Sequence, residues 1–329
     1  MNYLNDNNFH SKNIIEDSYA DFNLDNIFCV FKSIYNIFYL VYTNEINAII
    51  SYDLVNNKKI IEIRNSHNNY ITNYRHYLDS KNKTDLLMSI SCEDNNIKLW
   101  NVNKWECILN LENINLIGYL FSACFLKENN NKEIYIITSN AIESPDPLKV
   151  YNLKGDKLKE INNKDDVTYF IDVYYENNNI YIITGNLGYI KCFDYINDCV
   201  YHKYSDNDDN KGHCSLIIFD GKLIDSGFDG NIRIWKFHTG VLLYKIKINN
   251  FALYGISLWK KEYLFVCSTD KIIKIIDLKS NKIIGNLTGY NNRVLTIKNF
   301  IHPKYGECLI SQGYQNELIK LWIEKKIFN

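Results

Sequence analysis

The sequence predicts an all-β fold, a β-propeller of seven four-stranded blades, and three observations carry the prediction. A polar loop, then an alternating apolar strand closed by an aromatic or large apolar residue, recurs along the chain. Its seven copies end at Tyr52, Trp100, Tyr151, Phe193, Trp235, Ile276 and Trp322, spaced 41 to 51 residues apart, near the ~40–45 residues of a four-stranded blade. The 329 residues are 46% hydrophobic, with 26 Tyr, 16 Phe and 5 Trp, ample apolar surface for one large β unit.

The clearest copies read EDNNIKLWN, FDGNIRIWK, TDKIIKIID and QNELIKLWI, and weaker ones read INAIISYD, PLKVYN and GYIKCFD. Each is a strand of period two. The two longest spacings have local causes in the polar stretch Asp79 to Asp85 and the insertion Ile142 to Pro147, both read as loops. The fifth blade is the most complete, with strands over Ser215 to Phe219, Lys222 to Ser226, Asn231 to Trp235 and Val241 to Lys247. Its turns at Asp220-Gly221, Asp229-Gly230 and Thr239-Gly240 suit hairpins.

After Trp322 only IEKKIFN remains, too short for a turn and an outer strand. Ser11 to Glu16 is therefore expected to complete the last blade, because a ring avoids exposed sheet edges only when first and last blades join. On this reading residues 1–329 form one propeller and residues 1–25 supply the closing segment.

The fifth blade also holds Gly212-His213 before its first strand and Asp229 six residues before Trp235. In these features the chain resembles the WD40-repeat family, and the resemblance covers nearly its whole length. In that family a His, a loop Asp, a Trp and a hydroxyl residue on the second strand form a buried hydrogen-bonded network. The resemblance implies that Asp94, Asp229 and Asp270, with Asn316 as a near match, are the loop acids. Trp100, Trp235 and Trp322 take the Trp place, and His67 and His213 the His place. It implies further that His213 and Asp229 are a buried structural pair and not a catalytic dyad. The Trp-Asp dipeptide itself is absent: Asn101, Lys236, Asp277 and Ile323 stand in its second position, marking a divergent member.

A net charge of −1 removes the broad electrostatic argument for nucleic acid or an anionic membrane. No apolar run of about 18 residues suggests membrane insertion. Nine scattered cysteines without a Cys-x-x-Cys pair fit reduced thiols in the cytoplasm or nucleus. No nucleotide-binding, hydrolase or zinc-protease motif is present, so no catalysis, metal or cofactor is expected. The run Asp206, Asp208, Asp209 lacks the Gly and terminal Glu of a calcium loop and reads as a solvated connection. Cys192 and Cys199 read as packing residues. No Asp-x-Arg ending follows any anchor, Lys279 being the nearest approach, which weakens a ubiquitin-ligase docking role.

In a propeller, blade packing consumes the strand faces, so specificity falls to loops and the channel mouth. Aligning the residues before each first strand places Tyr70, Tyr119, Tyr169, Ser215, Ala252 and Arg293 at one ring. Glu93, Phe228 and Gln315, each before a loop acid or its counterpart, are expected on the same face. Tyr and Arg are the types enriched at interface hot spots. The function expected is a non-enzymatic scaffold or adaptor that binds other proteins or peptides, as a single copy within a larger assembly. A substrate-recognition subunit of a ubiquitin ligase and a nucleic-acid or phosphoinositide binder are the alternatives.

Overall fold

The structure, a computed structural model, describes residues 4, 6, 8–15, 27–112, 114, 119–128, 133–139, 147–162, 167–206, 211–315 and 317–325. Among them are 28 strands in seven four-stranded antiparallel sheets, with no helix. These are the blades of a seven-bladed β-propeller. In each blade the strands pair in sequence order from the channel outward, except that the outer strand of blade 7 comes from the N-terminus. Inner strands run Cys29–Lys32, Ile71–Asp79, Ala123–Lys127, Thr168–Glu176, His213–Phe219, Leu253–Trp259 and Val294–His302.

The anchors occupy equivalent third-strand places. Trp100, Trp235 and Trp322 lie opposite Leu87, Leu223 and Leu309 of their second strands. Alternation turns every second residue toward a neighbouring blade, where the core forms. Between blades 6 and 7, for example, Phe9, Trp259, Phe265 and Trp322 share one cluster.

Ring closure uses Phe9–Ile15, which pairs antiparallel with Ile319–Glu324 from Phe9 against Glu324 to Ile15 against Ile319. The strand begins two residues before the expected Ser11, and Glu16 lies outside the described residues. Phe9 extends it because its ring packs 5.3 Å from Trp259 and 5.7 Å from Phe265. Upstream, Asp6 accepts a hydrogen bond from the Thr288 amide at 2.9 Å, fastening the segment to blade 6.

The six outer strands that follow their own blades share a bulge beside the anchor. Register slips there, leaving Ile60, Ile108, Leu158, Tyr201, Leu243 and Ile284 without a partner on the third strand. A bulge bends and interrupts an edge strand, and the flanking lysines, such as Lys58, Lys59, Lys245 and Lys247, oppose edge-to-edge association. Cys192 packs in the core, whereas Cys199 is exposed on the outer strand of blade 4. That corrects its reading as a packing residue. The strand that bears it is an edge.

After the anchor, Asp53, Asp194 and Asp277 cap the turn into the outer strand. Asp194 Oδ1 accepts the amides of Ile196 and Asn197, both at 3.0 Å, and Asp53 and Asp277 bind the corresponding amides. A carboxylate that takes two turn amides fixes the reversal.

Candidate interaction face

Antiparallel order brings the start of every inner strand and the end of every second strand to one end of the ring. Pairing aligns the blades there. Tyr74, Ala123, Ile171, Leu216, Ile256 and Ile297 lie opposite Ser89, Thr138, Thr184, Asp225, Val266 and Ser311. Four residues upstream of these stand Tyr70, Tyr119, Val167, Gly212, Ala252 and Arg293. Tyr70, Tyr119, Ala252 and Arg293 thus occupy matching places. Tyr169 and Ser215 do not; they lie deeper in their strands, and Ser215 is buried. A bulge recurs at the start of the inner strands of blades 2, 4, 5, 6 and 7 alike, so it does not set these two blades apart. Tyr169 and Ser215 stand two and three residues past the matching places Val167 and Gly212, because alternation does not mark where a strand begins.

Tyr169 is the bulged residue and remains part of the face. Its ring lies 5.6 Å from both Phe121 and Phe228, and Phe228 meets Tyr254 edge-on at 5.7 Å. Gly212 makes this row possible: a Cβ there would stand 2.8 Å from the Tyr169 ring and 2.9 Å from Phe228. Arg293 continues the line, stacking 3.8 Å over Tyr314 with its charge acting on Tyr254. Burial pushes the Tyr254 phenol above its ordinary range, and Arg293 partly opposes that. The phenol stays neutral. Phe121, Tyr254 and Tyr314 escaped the sequence reading; aromatic residues flanking each strand start were the available signal.

The same end of the ring carries large apolar side chains open to solvent: Ile46 at 60% exposure, Phe251 at 55%, Leu187 at 50% and Tyr119 at 46%. They come from the second-to-third-strand turns of blades 1 and 4 and from the connections entering blades 6 and 3. Glu93 accepts a hydrogen bond from the Asn69 side chain, joining neighbouring loops of blade 2. Gln315 lies in the left-handed region at φ 56°.

Beneath the face, three blades hold a Trp-centred network. In blade 2 the Trp100 indole donates to Ser89 Oγ at 2.8 Å, and His67 Nε2 lies 2.7 Å from the same oxygen. Burial, with Lys98 nearby, pushes His67 down to about 3, so its ring is neutral at physiological pH. Blade 7 builds the same arrangement with Tyr290 in the His place: Trp322 donates to Ser311 Oγ at 2.8 Å, and Tyr290 OH lies 2.7 Å from it. Blade 5 departs from it. There Asp225 replaces the hydroxyl residue, with His213 Nδ1 at 2.9 Å and the Trp235 indole at 2.7 Å.

The loop acids divide the work differently from the expectation. Asp94 accepts the amides of Asn68 and Asn69 at 2.9 Å, pinning the loop that carries His67. In blade 7 Glu317 does the same for the Asn291 amide at 2.8 Å, and Asn316 lies outside the described residues. Asp270 bonds Asn249 at 2.9 Å and pairs with Lys274 at 3.3 Å. Asp229 is not the partner of His213. Its carboxylate takes the buried Arg233 guanidinium at 2.6 Å, leaving His213 to the fully buried Asp225. Nor is Asp206 a solvated residue: it pairs with Arg233 at 3.2 Å and Lys245 at 2.6 Å. Burial alone would raise its pKa, yet these two cations hold it below the usual carboxylate range. Asp208 and Asp209 lie outside the described residues. Among the described residues no group of three or more His, Cys, Asp or Glu converges as a metal site, and no helix is long and apolar enough to cross a membrane.

No family model matches the chain, and no curated relative matches it. Solved structures do: 1573 chains match. Among them is the computationally designed Ika8 protein, with a TM-score of 0.62 at 13% identity, covering 93% of this chain and 98% of that one. The likeness concerns fold alone.

Proposed function

We propose that the chain is a non-enzymatic scaffold or adaptor of the WD-repeat kind, working in the cytoplasm or nucleus, that holds a protein partner on the face bearing Tyr169 and Phe228. The carrying observation is the continuous aromatic row from Phe121 to Tyr254, with solvent-open apolar residues at the same end of the ring. Apolar side chains exposed together at a loop-lined mouth mark an interaction surface, and aromatic and Arg anchors dominate binding energy at such sites. The row is braced by packing, so little ordering is needed when a partner binds. The Trp-centred networks of blades 2, 5 and 7 support the WD-repeat assignment.

The test is affinity capture from the native cell with the wild-type chain and the triple variant Tyr119→Ala, Leu187→Ser, Phe251→Ala. These side chains are exposed, so the variant keeps its melting temperature. Loss of the wild-type partners supports the reading. An unchanged partner list rejects this face.

A further inference from the structure

The opposite end of the central channel holds a second constellation, independent of the aromatic face. One residue beyond the alignment level used above, Arg75, Asp172, Ile217, Ser257 and Lys298 occupy equivalent places in five inner strands, opposite Met88, Ile183, Ile224, Phe265 and Ile310. All five line a cavity of about 540 Å³ that reaches the turn at Lys260 and Lys261. That volume suits a small organic ligand.

Its charge is asymmetric. Among the described residues, Arg75, Lys260, Lys261 and Lys298 line it with Asp172 and Glu307, and Lys260 is paired with Glu324 at 2.7 Å. Inner strands are paired on one side only, so their free edges turn backbone groups into the channel. Arg75 uses two of these, donating to Ile171 O at 2.9 Å and Ala123 O at 3.3 Å. Its guanidinium is thereby oriented across three blades, 3.6 Å from Asp172. Burial pushes the Cys29 thiol, on the inner strand of blade 1, up to about 12, and Arg75 and Lys298 are the charges that oppose this. The two cations flank one stretch of channel wall. Low-dielectric walls concentrate such a field.

We propose that this end of the channel binds a small organic anion, with its carboxylate or phosphate at Arg75 and Lys298 and its apolar body against Phe170, Ile217 and Leu258. Charge-assisted hydrogen bonds to a preoriented guanidinium are the strong kind, and the lining residues Phe170, Ile217 and Leu258 offer an apolar wall beside them.

Calorimetry with phenyl phosphate, 3-phenylpropionate and neutral benzyl alcohol as probes tests this and separates the two anion chemistries. At least one anion is expected to bind one-to-one and benzyl alcohol not at all. Lys298→Met should weaken binding about tenfold with unchanged melting, and Lys298→Glu should abolish it. Arg75→Met risks unfolding, since it frees two strand-edge carbonyls, so Lys298 carries the test. Phe251→Ala, on the other face, should leave binding intact. Failure of both anions to bind below about 10 mM, or equal affinity in Lys298→Met, overturns the proposal.

Discussion

Asp225 accepts the Trp235 indole hydrogen bond at 2.7 Å while fully shielded from solvent, where blades 2 and 7 use the serine hydroxyls of Ser89 and Ser311 at the matching place. A buried carboxylate is tolerated there because its other oxygen meets His213. Asp225→Ala leaves two buried partners unsatisfied and should cost about 3 kcal/mol. Asp225→Ser restores the group used in the other two blades and should lose less. Urea unfolding of both variants checks this, and equal losses would sink it.

Ring closure depends on Phe9 as well as on strand pairing. Phe9→Ala should lower stability by about 3–5 kcal/mol, the usual range for a buried aromatic truncated in a core. Deleting residues 1–15 bares the edge of Ile319–Glu324 and should cause concentration-dependent aggregation, read by light scattering. A monodisperse deletion variant with native melting would show that closure is dispensable.

His67 makes stability depend on pH. Its folded pKa lies near 3 against an ordinary 6.5, so below pH 6.5 the unfolded chain binds a proton that the folded chain does not. Stability is therefore lost as pH falls through that window, by about 1.4 kcal/mol per pH unit. Between pH 6.5 and 5 this amounts to about 2 kcal/mol. His67→Asn should lack that part of the slope. Parallel denaturation curves for variant and wild type would refute it.

Gly212 holds the aromatic row open. Gly212→Ala places a methyl against Tyr169 and Phe228 and should cost about 1–3 kcal/mol as overpacking, with near-ultraviolet dichroism changed by the displaced rings. Gly221→Ala is the control: nothing lies within 4 Å of its Cβ, and only the left-handed strain at φ +66° remains. If the spectrum shifts in Gly221→Ala and not in Gly212→Ala, the row is not set by this contact.

Much of the fold was legible because it repeats. Anchors such as Trp100, Trp235 and Trp322 recur at blade spacing, and a strand's alternation survives in each copy. The interaction face was legible only in part. Tyr70, Tyr119 and Arg293 align from the sequence, but Tyr169 and Ser215 lie two and three residues past the matching places, since the apolar alternation does not mark where an inner strand begins. Likewise the family resemblance paired His213 with Asp229, when Arg233 takes Asp229 and Asp225 takes His213.

The sequence by itself determined the number of blades, the strand order within them and the N-terminal closure, since each follows from local periodicity and from the need to leave no sheet edge bare. Only the tertiary structure decided which side chains meet. Phe121, Tyr169, Phe228 and Tyr254 come from four blades, and Arg75 of blade 2 reaches carbonyls in blades 3 and 4. Their neighbours are set by the curvature of the ring and by bulge register, which bring Arg75 to a carbonyl 96 positions away in the chain.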